Sequence, residues 1–325
     1  IRLPNGQLLA FCEGRVNGAG DFGNIDIVLK RSNDEGQTWS PLQTIVDNDS
    51  LQAGNPAPVV DLSDPLHPGG RIFLFYNTGN NHENEIRKGN GYKQVWYRTS
   101  VDGGKTWSDA TDITTAVSRL NKTGIHPEWN FKEDWRTYAN TPGHAIQFME
   151  GKYAGRIFIA ANHSAGPPQE HFMDYNAHGF FTDDHGKKFQ LSKNVNLPGS
   201  NESMAVVLSK DKMMMNSRNQ RGNIKARIVS ISSDGGASWD TTFFDLNLID
   251  PVNQGSILNA GKKNGKVIIA FCNAADTQQR NNLTLRISFN EGKTWHRNFL
   301  IDKGDPNKNK DHTAYSDLVK ISKRK

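Results

Sequence analysis

Ser100-Val101-Asp102-Gly103-Gly104-Lys105-Thr106-Trp107 is one copy of an eight-residue pattern whose repetition decides how this chain folds. A second copy is Ser32-Asn33-Asp34-Glu35-Gly36-Gln37-Thr38-Trp39, and a weaker one is Thr182-Asp183-Asp184-His185-Gly186-Lys187-Lys188-Phe189. Two more are Ser232-Ser233-Asp234-Gly235-Gly236-Ala237-Ser238-Trp239 and Ser288-Phe289-Asn290-Glu291-Gly292-Lys293-Thr294-Trp295. The residue types suit a turn. Serine and aspartate side chains can bond turn amides, the shared glycine supplies a positive φ, and the tryptophan can fold over the hairpin as a plug. Each copy follows an alternating β segment, at 25–31, 94–99, 178–181, 226–231 and 283–287. The aspartates of these turns are therefore structural.

Working outward, the copies start at 32, 100, 182, 232 and 288, so the gaps are 68, 82, 50 and 56 residues. A four-stranded propeller blade takes about 40–50 residues, so each gap fits one blade with variable insertions. Helical periodicity is nearly absent, with 112–121 the best and a short candidate. The expected fold is all-β, a six-bladed β-propeller formed by residues 1–325 as a single domain. Ile1-Arg2-Leu3-Pro4-Asn5-Gly6-Gln7-Leu8-Leu9-Ala10-Phe11 reads as strand, turn, strand, and 317–321 reads as a strand without its partner. The propeller is thus expected to be clipped at both termini.

Composition narrows the classes. Hydrophobic residues at 35% and charged residues at 22% exclude a disordered chain or a coiled coil. The longest apolar run, 267–272, is far short of the roughly 20 residues a membrane helix needs. Two cysteines, Cys12 and Cys272, cannot form a disulfide scaffold or a cysteine-rich zinc site, and the ten histidines show no His-Glu-x-x-His. No metal or organic cofactor is implied. A net charge of +5 is mild, and nucleic acid is not an expected partner. The Lys323-Arg324-Lys325 tail reads as a solvated end or a weak anion site.

The repeats resemble the Asp-box, or BNR, repeat, which several propeller families carry. The segments between them are more selective. Leu8-Leu9-Ala10-Phe11-Cys12-Glu13-Gly14-Arg15 resembles the LLAF-x-E-x-R segment of exo-α-sialidases. The likeness continues in order through Asn201-Glu202-Ser203, Asn216-Ser217-Arg218, Gln254-Gly255-Ser256, Arg280 and Ala314-Tyr315-Ser316-Asp317-Leu318. The chain thereby resembles the retaining exo-α-sialidases of glycoside hydrolase family 33.

That resemblance implies a site whose chemistry can be argued from the residue types. Sialic acid carries a carboxylate on its anomeric carbon, and a guanidinium pairs bidentately with a carboxylate while staying charged. The family uses three such arginines; Arg218 and Arg280 resemble the second and third. Arg2, in Arg2-Leu3-Pro4, mimics the first but stands too close to Glu13, so the true first arginine is expected to be missing with the N-terminus. A carboxylate nucleophile would be repelled by the substrate carboxylate, whereas a neutral tyrosine deprotonated by a neighbouring glutamate would not. Tyr315 fits the nucleophile and Glu202 its base. The acid/base role falls to Asp21, in the loop Asn17-Gly18-Ala19-Gly20-Asp21-Phe22-Gly23-Asn24, with Asp26 as a rival better suited to a structural place in the strand.

Glu13 and Arg15 are expected beside the arginine clamp, orienting its arginines; Gln254, in the Gln-Gly-Ser turn, and Asn55, in a pocket-wall segment, are further candidate substrate contacts. Trp129 and Trp135 suit sugar stacking and core packing equally. The implied reaction is release of terminal α-linked sialic acids from glycoproteins, gangliosides and oligosaccharides through a tyrosyl-enzyme intermediate, by a monomer that is secreted, periplasmic or on the cell surface. Alternatives are a trans-sialidase or related glycosidase, or a non-catalytic propeller that binds glycan or protein.

Overall fold

A computed structural model describes residues 1–305 and 313–321. It is all-β, 45% strand and 4% helix. The strands form five consecutive groups. The first contains β1 (Leu8–Arg15), β2 (Ile25–Ser32) and β3 (Gln43–Val46); the second β4 (Gln52–Asp61), β5 (Arg71–Gly79), β6 (Lys93–Ser100) and β7 (Thr111–Asp112). The third comprises β8 (Trp135–Asn140), β9 (Ile146–Gln147), β10 (Ile157–Ala165), β11 (Tyr175–Thr182) and β12 (Gln190–Leu191). The fourth is β13 (Ser200–Val207), β14 (Met213–Asn219), β15 (Ala226–Ser232) and β16 (Thr241–Ile249), and the fifth β17 (Gly255–Lys263), β18 (Lys266–Ala274), β19 (Leu283–Ser288) and β20 (Arg297–Asp302). Neighbours within each group are antiparallel, and one parallel bridge, Ile25↔Gln52, joins the first two groups into a single sheet. Among the described residues the result is four sheets, none of them closed on itself.

Successive groups pack face to face. Four apolar clusters fill the seams, with Leu29 and Leu74 between the first two groups and Phe75 and Ile159 between the second and third. Phe158 and Met213 fill the next seam, Val206 and Ile269 the last. The first strands meet in order: β4 on β8 and β9, β9 on β13, β13 on β17.

All five repeats are turns between the last two strands of their groups, as their sequence requires. In each, the first Ser or Thr hydroxyl accepts the amide of the glycine four residues on, at 2.8–2.9 Å. The carboxylate, or the Asn290 amide oxygen, accepts the amide four residues after itself at 2.8–3.0 Å. The hydroxyl and amide of Thr38 hold the Asp34 carboxyl down at about 2. The glycines also do something the sequence reading did not assign. A Cβ at Gly186 would lie 2.8 Å from Phe73, one at Gly236 2.6 Å from Phe158, and one at Gly292 2.6 Å from Met214. Each glycine thus lets its turn press on the preceding group. The aromatic plug behaves likewise: Trp239 Nε1 donates to Lys193 O at 2.8 Å and Trp295 Nε1 to Asp245 Oδ2 at 3.0 Å, both across a seam. Trp39 and Trp107 instead donate to the glycine carbonyl of their own turn, Gly36 and Gly104, each at 3.1 Å, so the plug closes its own hairpin in the first two copies and bonds across a seam in the last two.

The Ile1–Phe11 hairpin forms, with Arg2 bridged to Leu8 and Gly6 at φ 92°. Two expectations need correction. Residues 317–321 are not a strand: they pair with no described strand, although Lys320 Nζ reaches Ala260 O of β17 at 2.9 Å. Helix is also more than the weak 112–121 candidate: α1 (Glu83–Lys88) forms between the His82 side-chain cap and Gly89 at φ 102°, and α2 spans Thr114–Val117. Among the described residues no helix is long and apolar enough to cross a membrane. The basic tail 323–325 lies outside the described residues.

Candidate active site

The registers place Glu13, Arg15, Asn55, Glu202, Arg218 and Gln254 at the strand ends remote from the repeats. In β1 and β2, Leu8 pairs with Ser32 at the repeat end and Arg15 with Ile25 at the other. In the fifth group Ile269 pairs with Ser288 at the repeat end, and Gly255, next to Gln254, pairs with Asn273 at the other. Arg2 fails this test. It sits by Leu8 at the repeat end, a strand length of roughly 23 Å from Arg15, as expected of a decoy.

The residues gather into two clusters. In the first, the Tyr315 hydroxyl donates to Glu202 Oε1, and Arg218 Nη1 lies 2.8 Å from Glu202 Oε2. Glu202 projects from β13 and Arg218 from β14, so their neighbourhood follows from strand pairing. Tyr315 arrives from a segment 113 residues away. Tyr315 is 45% exposed, yet its hydroxyl end is enclosed by these partners. Burial and the Glu202 charge push this phenol well up, against the opposing fields of Arg218 and Arg280. It is thus a neutral phenol on a base. Burial opposes the Arg218 charge, but Glu202 and Tyr315 more than offset it and raise the guanidinium. Arg280, in the β18–β19 loop, also receives the amide and hydroxyl of Thr313 on its carbonyl, each at 2.9 Å, two residues before Tyr315.

Tyr315 has φ 63°, a left-handed backbone that costs an unbranched residue about 1 kcal/mol or more. Gln254 holds it. Its amide donates to Ser316 O at 2.9 Å and Pro142 O at 2.8 Å, and its Oε1 accepts the Ser316 amide at 2.9 Å. Only 1% exposed, Gln254 has its side chain occupied with main chain.

The second cluster lies on the first two groups. Asp21 has a side chain 78% exposed in the β1–β2 loop and accepts Arg15 Nη1 at 2.8 Å. The other Arg15 nitrogen meets Glu13 Oε2 at 3.0 Å, and Arg15 also donates to Ala19 O at 2.6 Å, which anchors the loop. Glu13 Oε1 accepts the amide of Asn55, whose φ of 53° marks a bulge in β4. Asp26, the rival acid, sits inside β2 opposite Gly14; burial pushes its carboxyl up.

Two aromatic candidates lie in packed surroundings. Trp135 is buried, its ring centroid 3.5 Å from that of His163, and Trp129 is buried against Tyr92 and His126. Both belong to packing, because neither presents a free face. His163 and His178 beneath Trp135 are kept neutral by burial, His178 at about 3. Asp61, Asp64 and His185 offer metal-type donors within 4.8 Å of one another, but at the repeat end. There Arg71 pairs with Asp64 at 2.9 Å, while Ser63 and Gln147 occupy Asp61 at 2.9 and 2.7 Å, so the group is a seam network. Missed altogether were Gln52 and Lys93, whose side chains meet beneath the second cluster.

Comparison with known proteins places this geometry in context. A family model described as a BNR repeat-like domain matches residues 6–323. A sialidase of Micromonospora viridifaciens is 30% identical, covering 90% of this chain and 44% of that protein. A sialidase of Paraclostridium sordellii is 28% identical, covering 81% of this chain and 62% of that one. The solved structure of the Hadza microbial sialidase Hz136 matches 98% of this chain and 60% of its own at 25% identity, with a TM-score of 0.77. The chain thus spans between 44% and 62% of the length of these three proteins.

Proposed function

The chain belongs to the BNR repeat-like domain family, and from that premise we propose that it is the catalytic six-bladed propeller of a retaining exo-α-sialidase. Its substrates would be terminal α-linked sialic acids on glycoproteins, gangliosides or oligosaccharides. The observation that carries the reading is the Tyr315 hydroxyl donating to Glu202 while Arg218 holds the other carboxylate oxygen.

In the proposed reaction Arg218 and Arg280 receive the substrate carboxylate. Glu202 takes the phenolic proton as Tyr315 Oη bonds to the anomeric carbon, and the leaving oxygen departs with a proton from Asp21. Asp21, now a carboxylate, takes a proton from water; the water oxygen replaces Tyr315, which recovers its proton from Glu202. Two displacements at one carbon give net retention. A neutral resting phenol brings no second anion to a carbon that already bears a carboxylate. The raised Tyr315 hydroxyl supports that role.

The test is direct. The intact protein should release sialic acid from a sialoside, and proton NMR should show the α anomer first. A β anomer formed first overturns the tyrosyl route, and absence of release overturns the activity. Transfer to an added sugar in place of water would move the assignment to a trans-sialidase.

A further inference from the structure

We propose that Lys93 is a positioning residue for the acid/base group Asp21, acting from inside the protein through Gln52, Glu13 and Arg15. The inference rests on the sialidase reading of Asp21 and adds a residue that the resemblance to sialidases did not supply.

The geometry begins with strand register. Gln52 of β4 pairs with Gly79 of β5, and Gly79 pairs with Lys93 of β6, so the three form one row across the sheet. The middle position has no side chain. A Cβ at Gly79 would lie 2.8 Å from Lys93 Nζ and 2.9 Å from its Cδ, so the lysine stem lies directly over the glycine backbone. The ammonium thereby crosses to bond Gln52 Oε1. Gln52 Nε2 and Glu13 Oε1 then face the same small space over Gly54, 3.0 and 2.5 Å from where a Cβ would stand. From Glu13 the connection runs to Arg15 at 3.0 Å, and from Arg15 to Asp21 at 2.8 Å.

Charge explains why a lysine belongs there. Lys93 is 3% exposed, and burial of an ammonium is costly unless anions surround it. Burial lowers the ammonium, and the charges of Glu83 on α1, Glu13 on β1 and Asp21 in the loop oppose that lowering. Lys93 thus faces three carboxylates, of which Glu83 also faces Arg87, while Glu13 and Asp21 also face Arg15. Without Lys93, Glu13 and Asp21 are left to share Arg15, and their repulsion would fall on the less anchored of the two. Glu83 is tied by the Tyr175 hydroxyl at 2.8 Å and Glu13 by the Asn55 amide at 3.0 Å. Asp21, exposed at the loop tip, is the member free to move. Lys93 thus keeps Glu13 as the partner of one Arg15 nitrogen and leaves the other to fix Asp21.

A displaced general acid has a signature that general loosening lacks. It slows departure of a sugar alcohol, which needs a proton, far more than departure of an activated phenol, which does not. The test measures kcat/KM, which reports only the steps through the first displacement, for a sugar-linked and an activated phenol-linked sialoside. The intact protein is compared with its Lys93→Met and Lys93→Gln variants; Gln can still bond Gln52 but carries no charge. We expect the sugar-linked value to fall about tenfold or more in both variants, and the phenol-linked value to fall several times less. Equal losses on the two substrates, or no loss on either, overturn the positioning role. Thermal unfolding of each variant identifies a misfolded one, and either variant alone decides the outcome. If the unaltered protein cleaves neither sialoside, the sialidase reading is overturned, and this inference with it.

Discussion

The two ends of the strand groups are built differently. At one end Ser32, Ser100, Thr182, Ser232 and Ser288 each accept the amide of a glycine four residues on, and the same bonds recur five times. At the other end no group repeats its neighbour: Asp21 comes from the first, Asn55 from the second, Glu202 and Arg218 from the fourth, and Tyr315 from beyond the fifth. Repetition suits a structural task, since each seam between twisted sheets poses the same packing problem. Chemistry needs one constellation with distinct roles, so its members cannot be copies. Damage at the repeat end should therefore lower stability, and damage at the site end activity.

The largest expected effect tests the site end. Tyr315→Phe keeps the ring and removes the attacking oxygen, and should lower kcat on an aryl sialoside on the order of 10³-fold or more while the midpoint of unfolding hardly moves. Activity within tenfold of the unaltered protein would remove Tyr315 from the nucleophile role. Next comes the repeat end. Gly236→Ala places a Cβ 2.6 Å from Phe158 and 2.8 Å from Met213 at φ 90°, so denaturant unfolding should show a loss of about 2–4 kcal/mol. The folded fraction should keep its kcat; a specific loss of turnover would mean that the two ends are coupled. The smallest effect probes how closely the copies are equivalent. Asn290 donates to Thr294 Oγ1 at 2.8 Å, whereas in the first copy Thr38 donates to Asp34 at 2.5 Å. Asn290→Asp reverses the donor on an exposed turn and should change stability by no more than about 0.5 kcal/mol in thermal unfolding.

Legibility in the sequence follows the same division. The repeats could be read because all their partners lie within eight contiguous residues, and the five strands before them end within a few residues of the expected bounds. Their contact with the preceding group could not, since Phe73 and Phe158 are far from Gly186 and Gly236 in the chain. Asp21, Glu202, Arg218, Arg280 and Tyr315 came from ordered likeness to a family, because spacing cannot pair residues 113 apart. The main-chain partners of Gln254 were not legible, since an amide in a turn looks the same whether it faces a ligand or main chain. Lys93 did leave a signal: it is in phase with buried Val95 on β6, so alternation pointed a lysine inward. Nothing local showed that Gly79 left room for it to cross to Gln52.

By itself the sequence determined the β class, the five turns and their anchoring bonds, since these depend on backbone propensity and on partners a few residues apart. Only the tertiary structure decided which side chains meet. It set Tyr315 on Glu202, gave Gln254 to the strained backbone beside Tyr315 and ran Lys93 beneath Glu13. Such meetings depend on register between strands and on the packing of one group against the next, and neither is encoded in any single stretch of chain.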